Sequence, residues 1–463
     1  MLRISEGSGG RILIDRDGQL GRNTMKKVVK FGGSSLASAA QFEKVGRIIR
    51  AEESRRYVVP SAPGKRFSSD IKVTDMLYGC YAKAEKEEDF TDELAQIAAR
   101  YQEIIDGLHL NLSLADAFAK IEKDFKEKAG IQYAASRGEF LNGMVMAAYL
   151  GYAFVDAADV IRFHEDGTFD SETTNRLLAA ALDKQDYAVI PGFYGADEKG
   201  VVRTFSRGGS DITGSLVARA VKADMYENWT DVSGCLVTDP RIVDNPVPIE
   251  VITYRELREL SYMGASVLHE DAIFPVRSEG IPINIRNTNA PEDKGTMIVG
   301  DTCTKSDYII TGIAGKKGFA SITIEKDMMN AEVGFGRKVL QVFEENGISF
   351  EHMPSGIDTM TILVHETEFE EHEQKVLTGI QKAVHPDHVS LEADLALIAV
   401  VGRGMKSARG TAGRIFSALA HARVNVKMID QGSSELNIII GVENNDFETA
   451  IRAIYNIFVL CKL

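Results

Sequence analysis

The segment Lys-Phe-Gly-Gly-Ser-Ser at residues 30–35 contains the residue types that hold a phosphate group, and it directly follows a short β-branched run. The run predicts a strand, and apolar residues at helical spacing after the segment predict a helix. Backbone N–H groups between such a strand and helix favour an anion, because they point at it together with the positive end of the helix dipole. Lys30 can neutralise charge on a transferring phosphoryl group, and a side chain at Gly32 or Gly33 would block the approach of phosphates. The alternative interpretation is a Gly-Gly turn beside a solvated lysine.

A second glycine turn, Arg-Gly-Gly-Ser-Asp at residues 207–211, has the same setting between a predicted strand and a predicted helix. Arg207 carries a guanidinium suited to a carboxylate, and Ser210 and Asp211 are residue types that begin helices. Two such turns from one parallel sheet converge on the same edge of that sheet. Together they predict a phosphate site beside a substrate site. A capped turn with a surface arginine is the alternative.

Polar residues in the segments 229–234 and 238–241 are candidates for binding a nucleotide. Thr230 and Asp231 can hydrogen-bond to an adenine or a ribose, and Arg241, shortly after Asp239, can reach a phosphate. The alternative is a polar loop made of ordinary turn residues.

Residues 25–300 must position these turns. Strand-like apolar runs alternate there with helical patterns, which is typical of βαβ units and a mostly parallel sheet. Residues 27–31 and 187–193 are predicted strands, and residues 36–49 and 212–221 carry the apolar face of the helix after each turn. The same strand, turn and helix arrangement is therefore expected twice.

Beyond residue 300 the sequence repeats itself with an offset of 76 residues. Each copy is predicted to run strand, helix, strand, strand, helix, which is the ferredoxin-like order of a small module with an exposed sheet. The aligned positions are residues 348–350 with 424–426, residues 361–364 with 437–440, Gly356 with Gly432, and Met329 with Met405. Two modules placed side by side are expected, and two unrelated α+β segments are the alternative.

Composition limits the class of protein. A chain of 463 residues is expected to form about three domains at roughly 100–200 residues each. The net charge of −14 and the absence of a long Lys/Arg cluster disfavour nucleic-acid binding. The most apolar long stretch, residues 143–163, contains Asp156 and Asp159 and predicts a buried helix followed by a strand, not a membrane span.

The cysteines indicate a reducing cytoplasm. They lie far apart and form no C-x-x-C pair, which argues against a disulfide framework and against a zinc site; no metal ligands are predicted. The four positions are Cys80, Cys235, Cys303 and Cys461. Residues 1–24 have neither a signal-peptide core nor periodicity and are interpreted as a leader or vector remnant.

The ordered set of motifs resembles the aspartate kinases from about residue 25 to the C terminus. The matching segments are residues 30–35, Ser61-Ala62, Arg137-Gly138-Glu139, residues 207–211, residues 230–232, residues 238–241 and Val267-Leu268-His269, followed by a tail that looks like tandem ACT domains, notably at residues 431–437. The resemblance implies an α/β protein with the amino acid kinase fold, an open, mostly parallel sheet between helix layers, followed by two ferredoxin-like ACT domains. The implied domains are residues 25–300, 301–385 and 386–463.

The resemblance also implies a role for each candidate residue. The activity would be transfer of the γ-phosphate of ATP, carried with Mg²⁺, to the side-chain carboxylate of L-aspartate, an early step towards lysine, threonine and methionine. Lys30 would be the catalytic lysine and Asp211 would hold it. Substrate would be bound by Ser61, Thr74, Glu139, Arg207 and Ser210, and ATP by Gly32, Gly33, Ser34, Thr230, Asp231, Asp239 and Arg241. A carboxylate with a pKa near 3.9 is ionised at neutral pH and needs no general base.

Two positions depart from the family pattern near the expected nucleotide site. Ser266 stands where relatives usually have a lysine, and Leu236 stands where an aromatic residue is common. Neither position belongs to the predicted reaction centre, so altered ATP affinity is the expected consequence.

The ACT pair is expected to bind an end-product amino acid, with lysine as first choice and threonine next. By family analogy the effector would lie near Met329, Ser349, Glu351 and Asp358. A homodimer or homotetramer formed through the ACT sheets is expected, because exposed sheet edges pair.

Other functions within and outside this fold stay open from the residues alone. A glutamate, acetylglutamate or nucleoside monophosphate kinase would share the fold but accounts less well for the repeat. A non-catalytic amino-acid sensor would need only the repeat, and the presence of both Lys30 and Asp211 argues against it.

Overall fold

The computed structural model describes residues 12–14, 20–22, 25–206, 208–265, 268, 270–301 and 308–460. It contains two compact units, described separately below. The first comprises residues up to 235, 250–254 and 267–300, and the second comprises residues 236–249, 255–266 and 301 onward. Most of residues 1–24, interpreted above as a leader, lie outside the described part. The described exceptions are two short strands.

The strands of the first unit are short, whereas the second unit contains two strands of 14 residues each. They are β1 Ile12–Ile14, β2 Leu20–Arg22, β3 Lys27–Phe31, β4 Arg55–Pro60, β5 Ala153–Phe154, β6 Arg162–Phe163, β7 Phe169–Asp170, β8 Ala188–Val189, β9 Tyr194–Asp197, β10 Val202–Thr204, β11 Met225–Thr230, β12 Val251–Thr253, β13 Ile283–Asn287, β14 Thr296–Val299, β15 Gly312–Glu325, β16 Phe350–His352, β17 Thr359–His365, β18 His388–Val401, β19 Met428–Asp430 and β20 Asn437–Glu443.

The helices are α1 Ala39–Arg50, α2 Val73–Glu85, α3 Thr91–Gly107, α4 Ala115–Lys126, α5 Ile131–Leu150, α6 Ala157–Val160, α7 Ser171–Leu182, α8 Gly209–Ala220, α9 Tyr254–Tyr262, α10 Glu270–Ser278, α11 Phe335–Glu345, α12 Glu366–Phe369, α13 Glu373–Val384, α14 Thr411–His421 and α15 Phe447–Tyr455. No helix of the described chain is both long enough and apolar enough to cross a membrane.

The first unit is built on an eight-stranded sheet in the order β12-β14-β13-β11-β3-β4-β8-β5. Its strand pairs are parallel apart from β13 with β14, which confirms the mostly parallel sheet predicted from the alternating pattern. A second sheet has the order β10-β9-β6-β7. The central strand β3 is buried from Val28 to Phe31, as expected for a parallel strand covered by helices on both faces.

Helix α5 is a central helix of this unit. Nine of its first thirteen residues are apolar or small, and most of the helix is buried, including the two charged residues Arg137 and Glu139. The helix ends at Gly151 in the left-handed conformation with φ 74°, where glycine has no steric penalty. The predicted buried helix followed by a strand is confirmed by α5 and β5.

The second unit contains one six-stranded sheet in the order β16-β17-β15-β18-β20-β19. The 76-residue repeat is confirmed, because β15 and α11 shifted by this offset coincide with β18 and α14 at both ends. The long strands β15 and β18 pair antiparallel and join the two repeats edge to edge. His352 Nδ1 lies 2.8 Å from Asp430 Oδ2, so the strands at opposite ends of the sheet order are linked and the sheet curls.

Helix α9 precedes the repeats in sequence, but all of it after Tyr254 belongs to the second unit. Glu256 is fully buried and accepts hydrogen bonds from the Arg403 N–H and the Thr311 hydroxyl, each at 2.7 Å. Its other oxygen lies 2.6 Å from Arg403 Nη1. Glu259 accepts a hydrogen bond from Asn437 at 2.6 Å. The helix is therefore anchored to the second repeat by a buried ion pair and several hydrogen bonds.

Candidate active site

The candidate site lies at the carboxyl edge of three neighbouring strands of the first unit, β11, β3 and β4. Lys30 on β3 is aligned with Asn228 on β11 and with Val59 on β4. The Gly32 N–H donates to Trp229 O at 3.0 Å, and the Ser61 N–H donates to Phe31 O at 3.1 Å. The segments that leave the three strands are therefore held beside one another.

Lys30 and Asp211 form an ion pair at the centre of this edge. Lys30 Nζ lies 2.6 Å from Asp211 Oδ1, and the Asn228 side-chain amide donates to the same oxygen at 2.8 Å. Asp211 stands in the first turn of α8, and the Tyr226 hydroxyl donates to its backbone carbonyl at 3.2 Å. The pairing of Lys30 with Asp211 brings together residues from the two predicted turns. Asn228 was missed by the sequence analysis.

The first glycine turn closes against the segment that follows β4. The Gly64 N–H donates to Gly33 O at 2.8 Å. A Cβ at Gly33 would lie 2.8 Å from Ala62 O, and a Cβ at Gly64 would lie 2.6 Å from the Gly33 carbonyl carbon. Since neither backbone can move away without breaking these contacts, both positions require glycine.

The prediction that a helix dipole starts at this turn was wrong. Residues Gly33–Leu36 form a single 3₁₀ turn, and α1 begins at Ala39 after Ser38 in an extended conformation. The dipole of α1 therefore starts several residues beyond the glycines. At the start of the 3₁₀ turn, the N–H groups of Gly33 and Ser34 have no acceptor within the turn itself.

Glu139 is a buried carboxyl group on α5, with 6% of the residue exposed. The Ala62 N–H donates to it, but Glu139 Oε2 has no hydrogen-bond partner in the described part of the chain. Burial raises the pKa of Glu139 to about 8, although the Ala62 N–H and the charges of Arg137 and Lys30 act in the opposite direction. An unsatisfied buried carboxyl oxygen is suited to bind a cationic group.

The neighbouring substrate candidates surround the same segment. Ser61 is half-buried, and its carbonyl accepts a hydrogen bond at 2.6 Å from Asn142, one turn after Glu139 on α5. Thr74 is half-buried in the first turn of α2, and Val73 beside it donates its N–H to Pro63 O at 3.3 Å. The structure thus brings Ser61 close to α5 through Asn142, a second residue that the sequence analysis did not single out.

The second glycine turn begins α8 as predicted. Gly208 is left-handed with φ 59°, and the Asp211 N–H donates to its carbonyl at 2.9 Å. A Cβ at Gly209 would lie 2.6 Å from the Phe193 ring. Ser210 is buried at the helix start. Arg207, the predicted partner of a substrate carboxylate, lies outside the described residues.

The predicted nucleotide residues divide between the two units. Thr230 ends β11 in the first unit and Asp231 follows it, and the Thr230 hydroxyl donates to Asp231 Oδ1 at 3.2 Å. Asp239 and Arg241 belong to the second unit and form an ion pair at 2.6 Å, with Arg241 87% exposed. Leu236 is also in the second unit. Ser266 lies outside the described residues.

The predicted effector residues lie in the first repeat of the second unit. Met329 is buried and Ser349 is exposed. Glu351 Oε1 lies 3.3 Å from His365 Nε2, and the Tyr262 hydroxyl donates to the same carboxylate. Asp358 accepts the Met328 N–H at 3.0 Å. Both acids therefore have partners within the chain, and an effector ammonium would have to share or displace them.

The geometry of the first unit suits an anionic ligand with an ammonium group. A lysine held by a carboxylate, a glycine turn with N–H groups at its start, and an unsatisfied buried carboxyl group meet at one strand edge. Among the described residues, no cluster of His, Cys, Asp and Glu could hold a metal ion.

Comparison with known proteins identifies the family. The chain matches the Amino acid kinase family over residues 25–287 and an ACT domain over residues 398–458. It is 40% identical over 449 residues to Aspartokinase 3 of Bacillus subtilis (strain 168), covering 93% of this chain and 98% of that protein.

Solved structures agree with this result. The crystal structure of Clostridium acetobutylicum aspartate kinase is 50% identical with a TM-score of 0.86, covering 94% of this chain and 100% of that one. E. coli aspartokinase III, solved in complex with aspartate and ADP, is 23% identical with a TM-score of 0.70 at 94% and 100% coverage, and supports the fold. The chain therefore belongs to the amino acid kinase family and, within it, to the aspartate kinases.

Proposed function

We propose that this kinase transfers the γ-phosphoryl group of ATP to the side-chain carboxylate of L-aspartate, giving 4-phospho-L-aspartate for lysine, threonine and methionine synthesis. The observation that carries the proposal is the Lys30–Asp211 ion pair at 2.6 Å, located between a glycine turn and the buried Glu139. The site thereby combines Lys30, which can neutralise charge on the phosphoryl group, with Glu139, which can bind the substrate ammonium.

The chemistry needs positioning and charge neutralisation more than proton transfer. An oxygen of the ionised aspartate carboxylate attacks the γ-phosphorus, the bond from that phosphorus to the bridging oxygen breaks, and ADP leaves with the electron pair. Lys30 neutralises charge that develops on the transferred group. Asp211, itself fixed by Asn228 at 2.8 Å, keeps the ammonium of Lys30 at the strand edge. No residue has to remove a proton from the nucleophile.

The substrate side of the proposal uses the unsatisfied oxygen of Glu139. An amino acid ammonium would satisfy Glu139 Oε2 and would favour its ionised form, thereby offsetting the effect of burial. Arg207 is proposed to bind the α-carboxylate, and Ser61, Thr74 and Ser210 to add hydrogen bonds. The two alternative substrates differ from each other in this contact: glutamate has an ammonium group that Glu139 could bind, and acetylglutamate has none.

The nucleotide is proposed to bind with Mg²⁺ that arrives on ATP. Gly32, Gly33 and Ser34 would face the phosphates, because Gly33 and Ser34 begin the 3₁₀ turn with N–H groups that lack an acceptor within it. Thr230 and Asp231 at the end of β11 would bind the base or ribose. Asp239 and Arg241 are the remaining residues that were predicted to bind the nucleotide.

The decisive experiment traps the acyl phosphate with hydroxylamine in an assay that contains ATP, Mg²⁺ and L-aspartate. Lys30→Met is expected to lower kcat by roughly 10³-fold or more, in line with the loss of a fixed charge at a phosphoryl-transfer centre. Lys86→Met, an exposed lysine just after α2, serves as the matched control. Undiminished hydroxamate formation by Lys30→Met would show that the assigned role is wrong, and hydroxamate from glutamate but not aspartate would favour the alternative substrate.

We further propose that lysine is the feedback inhibitor and that it binds the first ACT repeat, with threonine as second choice. The support is an open groove of about 1220 Å³ lined by α11 and by Ser349, Phe350 and Met353. E. coli aspartokinase III was also solved with lysine and aspartate. Calorimetry on the full chain should give heat with lysine in wild type and a weaker response in Ser349→Asp, whose added carboxylate would repel the carboxylate of lysine. No heat with either amino acid would refute effector binding.

A homodimer or homotetramer through the ACT sheets is proposed, with a second copy of this chain as the partner. The support is a set of exposed apolar residues on the first repeat, which includes Val333 at 96%, Ile357 at 69% and Phe350 at 46%. Size-exclusion chromatography with light scattering should show a smaller particle for Phe350→Asp. The cytoplasm is proposed as the location, consistent with Cys80 and Cys235, which are free and buried.

A further inference from the structure

The segment between β4 and α2, residues 61–72, is held to α3 by the buried Arg100, and its exposed middle also pairs with α3 through Arg66 and Glu103 at 3.0 Å. Arg100 is 5% exposed, and its Nη1 donates to Ile71 O at 2.7 Å while its Nη2 donates to Gly64 O. The same guanidinium lies 3.0 Å from Asp70 Oδ2. Arg100 therefore binds both ends of a short stretch whose middle, residues 65–69, is exposed.

This segment supplies three contacts to the candidate site without the help of any other loop. The Ala62 N–H donates to Glu139, the Ser61 carbonyl accepts from Asn142, and Gly64 donates to the Gly33 carbonyl. A displacement of Gly64 would change all three, because the stretch from 61 to 64 is only a few bonds long.

The charges around Arg100 favour a fixed arrangement. Hydrogen bonds from Arg66 and the charge of Arg100 hold the pKa of Asp70 well below its usual range. Burial lowers the pKa of Arg100, which shows that its charge is desolvated. A desolvated guanidinium whose planar fork meets two carbonyls and a carboxylate loses these partners together if the segment moves.

We propose that Arg100 is a positioning residue for the phosphoryl transfer, because it fixes residues 61–72 against the glycine turn and the Glu139 pocket. The proposal rests on the proposed function, since it takes this pocket as the aspartate site. Arg100 is not among the residues proposed above to bind aspartate or ATP. Its loss acts through the position of the Ala62 N–H and of Gly64.

Limited proteolysis tests the fixation without any substrate. Lys65 and Arg66 are exposed trypsin sites inside the segment. Arg100→Met should be cleaved there roughly 10- to 100-fold faster than wild type, as expected for the loss of two hydrogen bonds from a charged group. Arg100→Lys keeps a charge for Asp70 but cannot span both carbonyls, so an intermediate rate is expected. Glu103→Gln, which removes only the exposed partner of Arg66 on α3, should leave cleavage after Lys65 and Arg66 nearly unchanged.

Kinetics test the link to the reaction. Arg100→Lys should raise KM for aspartate by roughly tenfold while kcat falls less, because loosening of the segment weakens the substrate pocket before it affects the transfer step. The pH at which KM for aspartate falls should move upward, since the Ala62 N–H no longer favours the ionised form of Glu139. A merely structural role would lower the active fraction and leave KM and its pH profile unchanged.

The outcomes separate the two proposals. Unchanged cleavage and unchanged KM in Arg100→Lys, at a thermal midpoint equal to that of wild type, would overturn the positioning role. If Arg100→Met fails to fold, Arg100→Lys alone tests the positioning role. If the wild-type protein does not phosphorylate aspartate but the Arg100 variants are cleaved faster, the proposed function is overturned and the fixation of the segment is supported.

Discussion

Replacement of Glu139 by glutamine is expected to stabilise the ligand-free protein, and to do so increasingly as the pH rises. Burial raises the pKa of Glu139 from 4.5 to about 8. Between these values the folded state binds more protons than the unfolded state, so stability is lost as the pH rises through this range. At pH 7 the unfavourable contribution of Glu139 is about 3 kcal/mol. Glutamine stays neutral and can still accept the Ala62 N–H.

Urea unfolding followed by tryptophan fluorescence measures this effect in the first unit. Trp229 is the one tryptophan of the chain and is 1% exposed on β11. The advantage of Glu139→Gln over wild type should grow by about 3 kcal/mol between pH 5 and pH 7.5. Glu103→Gln, at a side chain that is 66% exposed, should show no such growth and is the control.

An equal difference between Glu139→Gln and wild type at both pH values would refute the reasoning, because it would mean that Glu139 is ionised in the empty site. Saturating L-aspartate should stabilise wild type more than the variant at pH 7.5, since only a carboxylate can pair with the ammonium.

Three further substitutions test other contacts of the structure. Asn228→Ala removes one of the two groups on Asp211 Oδ1 and should lower kcat roughly tenfold, with both KM values little changed, in the hydroxamate assay; a normal kcat would show that Asp211 needs only Lys30. Gly33→Ala should abolish most activity because its Cβ would lie 2.8 Å from Ala62 O, whereas Gly79→Ala, with nothing within 4 Å of its Cβ, should be as active as wild type. Glu256→Gln should lower the unfolding free energy of the second unit by about 2–4 kcal/mol, because Arg403, whose side chain is 13% exposed, loses its ion pair with the fully buried Glu256. Glu448→Gln, in an exposed pair with Arg452, should change this free energy by less than about 1 kcal/mol, and equal effects of the two substitutions would refute the assignment.

The sequence predicted the glycine turns and the repeat well, because both depend on local signals. Residue type and short spacing were enough to place Lys30 after a strand and Asp211 at a helix start. The offset of 76 residues predicted elements that coincide at both ends for β15 with β18 and for α11 with α14. Internal comparison worked because each repeat forms the same small set of elements.

Asn228 could not be predicted, because nothing in the surrounding segment Met-Tyr-Glu-Asn-Trp-Thr distinguishes this amide from its neighbours. Its contact with Asp211 depends on the parallel pairing that aligns Asn228 with Lys30, 198 residues earlier in the chain. The one available signal was its position two residues before Thr230, a spacing that places both side chains on one face of a strand. Arg100 had no signal, since its partners are two backbone carbonyls and Asp70, a carboxylate that the fold brings to it from 30 residues earlier in the chain.

The start of α1 was misplaced for a local reason. Ser34, Ser35 and Ser38 are all residue types that begin helices, so the sequence alone does not choose among them. The contact of Gly33 with Gly64, which fixes the glycine turn, comes from a different segment and decides the choice. The helix therefore begins at Ala39.

The division of the chain into units has a consequence for protein engineering. The polypeptide passes from one unit to the other after residues 235, 249, 254, 266 and 300. A fragment ending at residue 300 would keep α9 but remove Arg403, which pairs with the buried Glu256, and Asn437, which donates to Glu259. If the tail of a relative were joined at residue 300, its residues would have to form these contacts with an α9 that comes from this chain. Exchange of regulatory parts between aspartate kinases should therefore succeed only when residues 236–249 and 255–266 are transferred together with the tail.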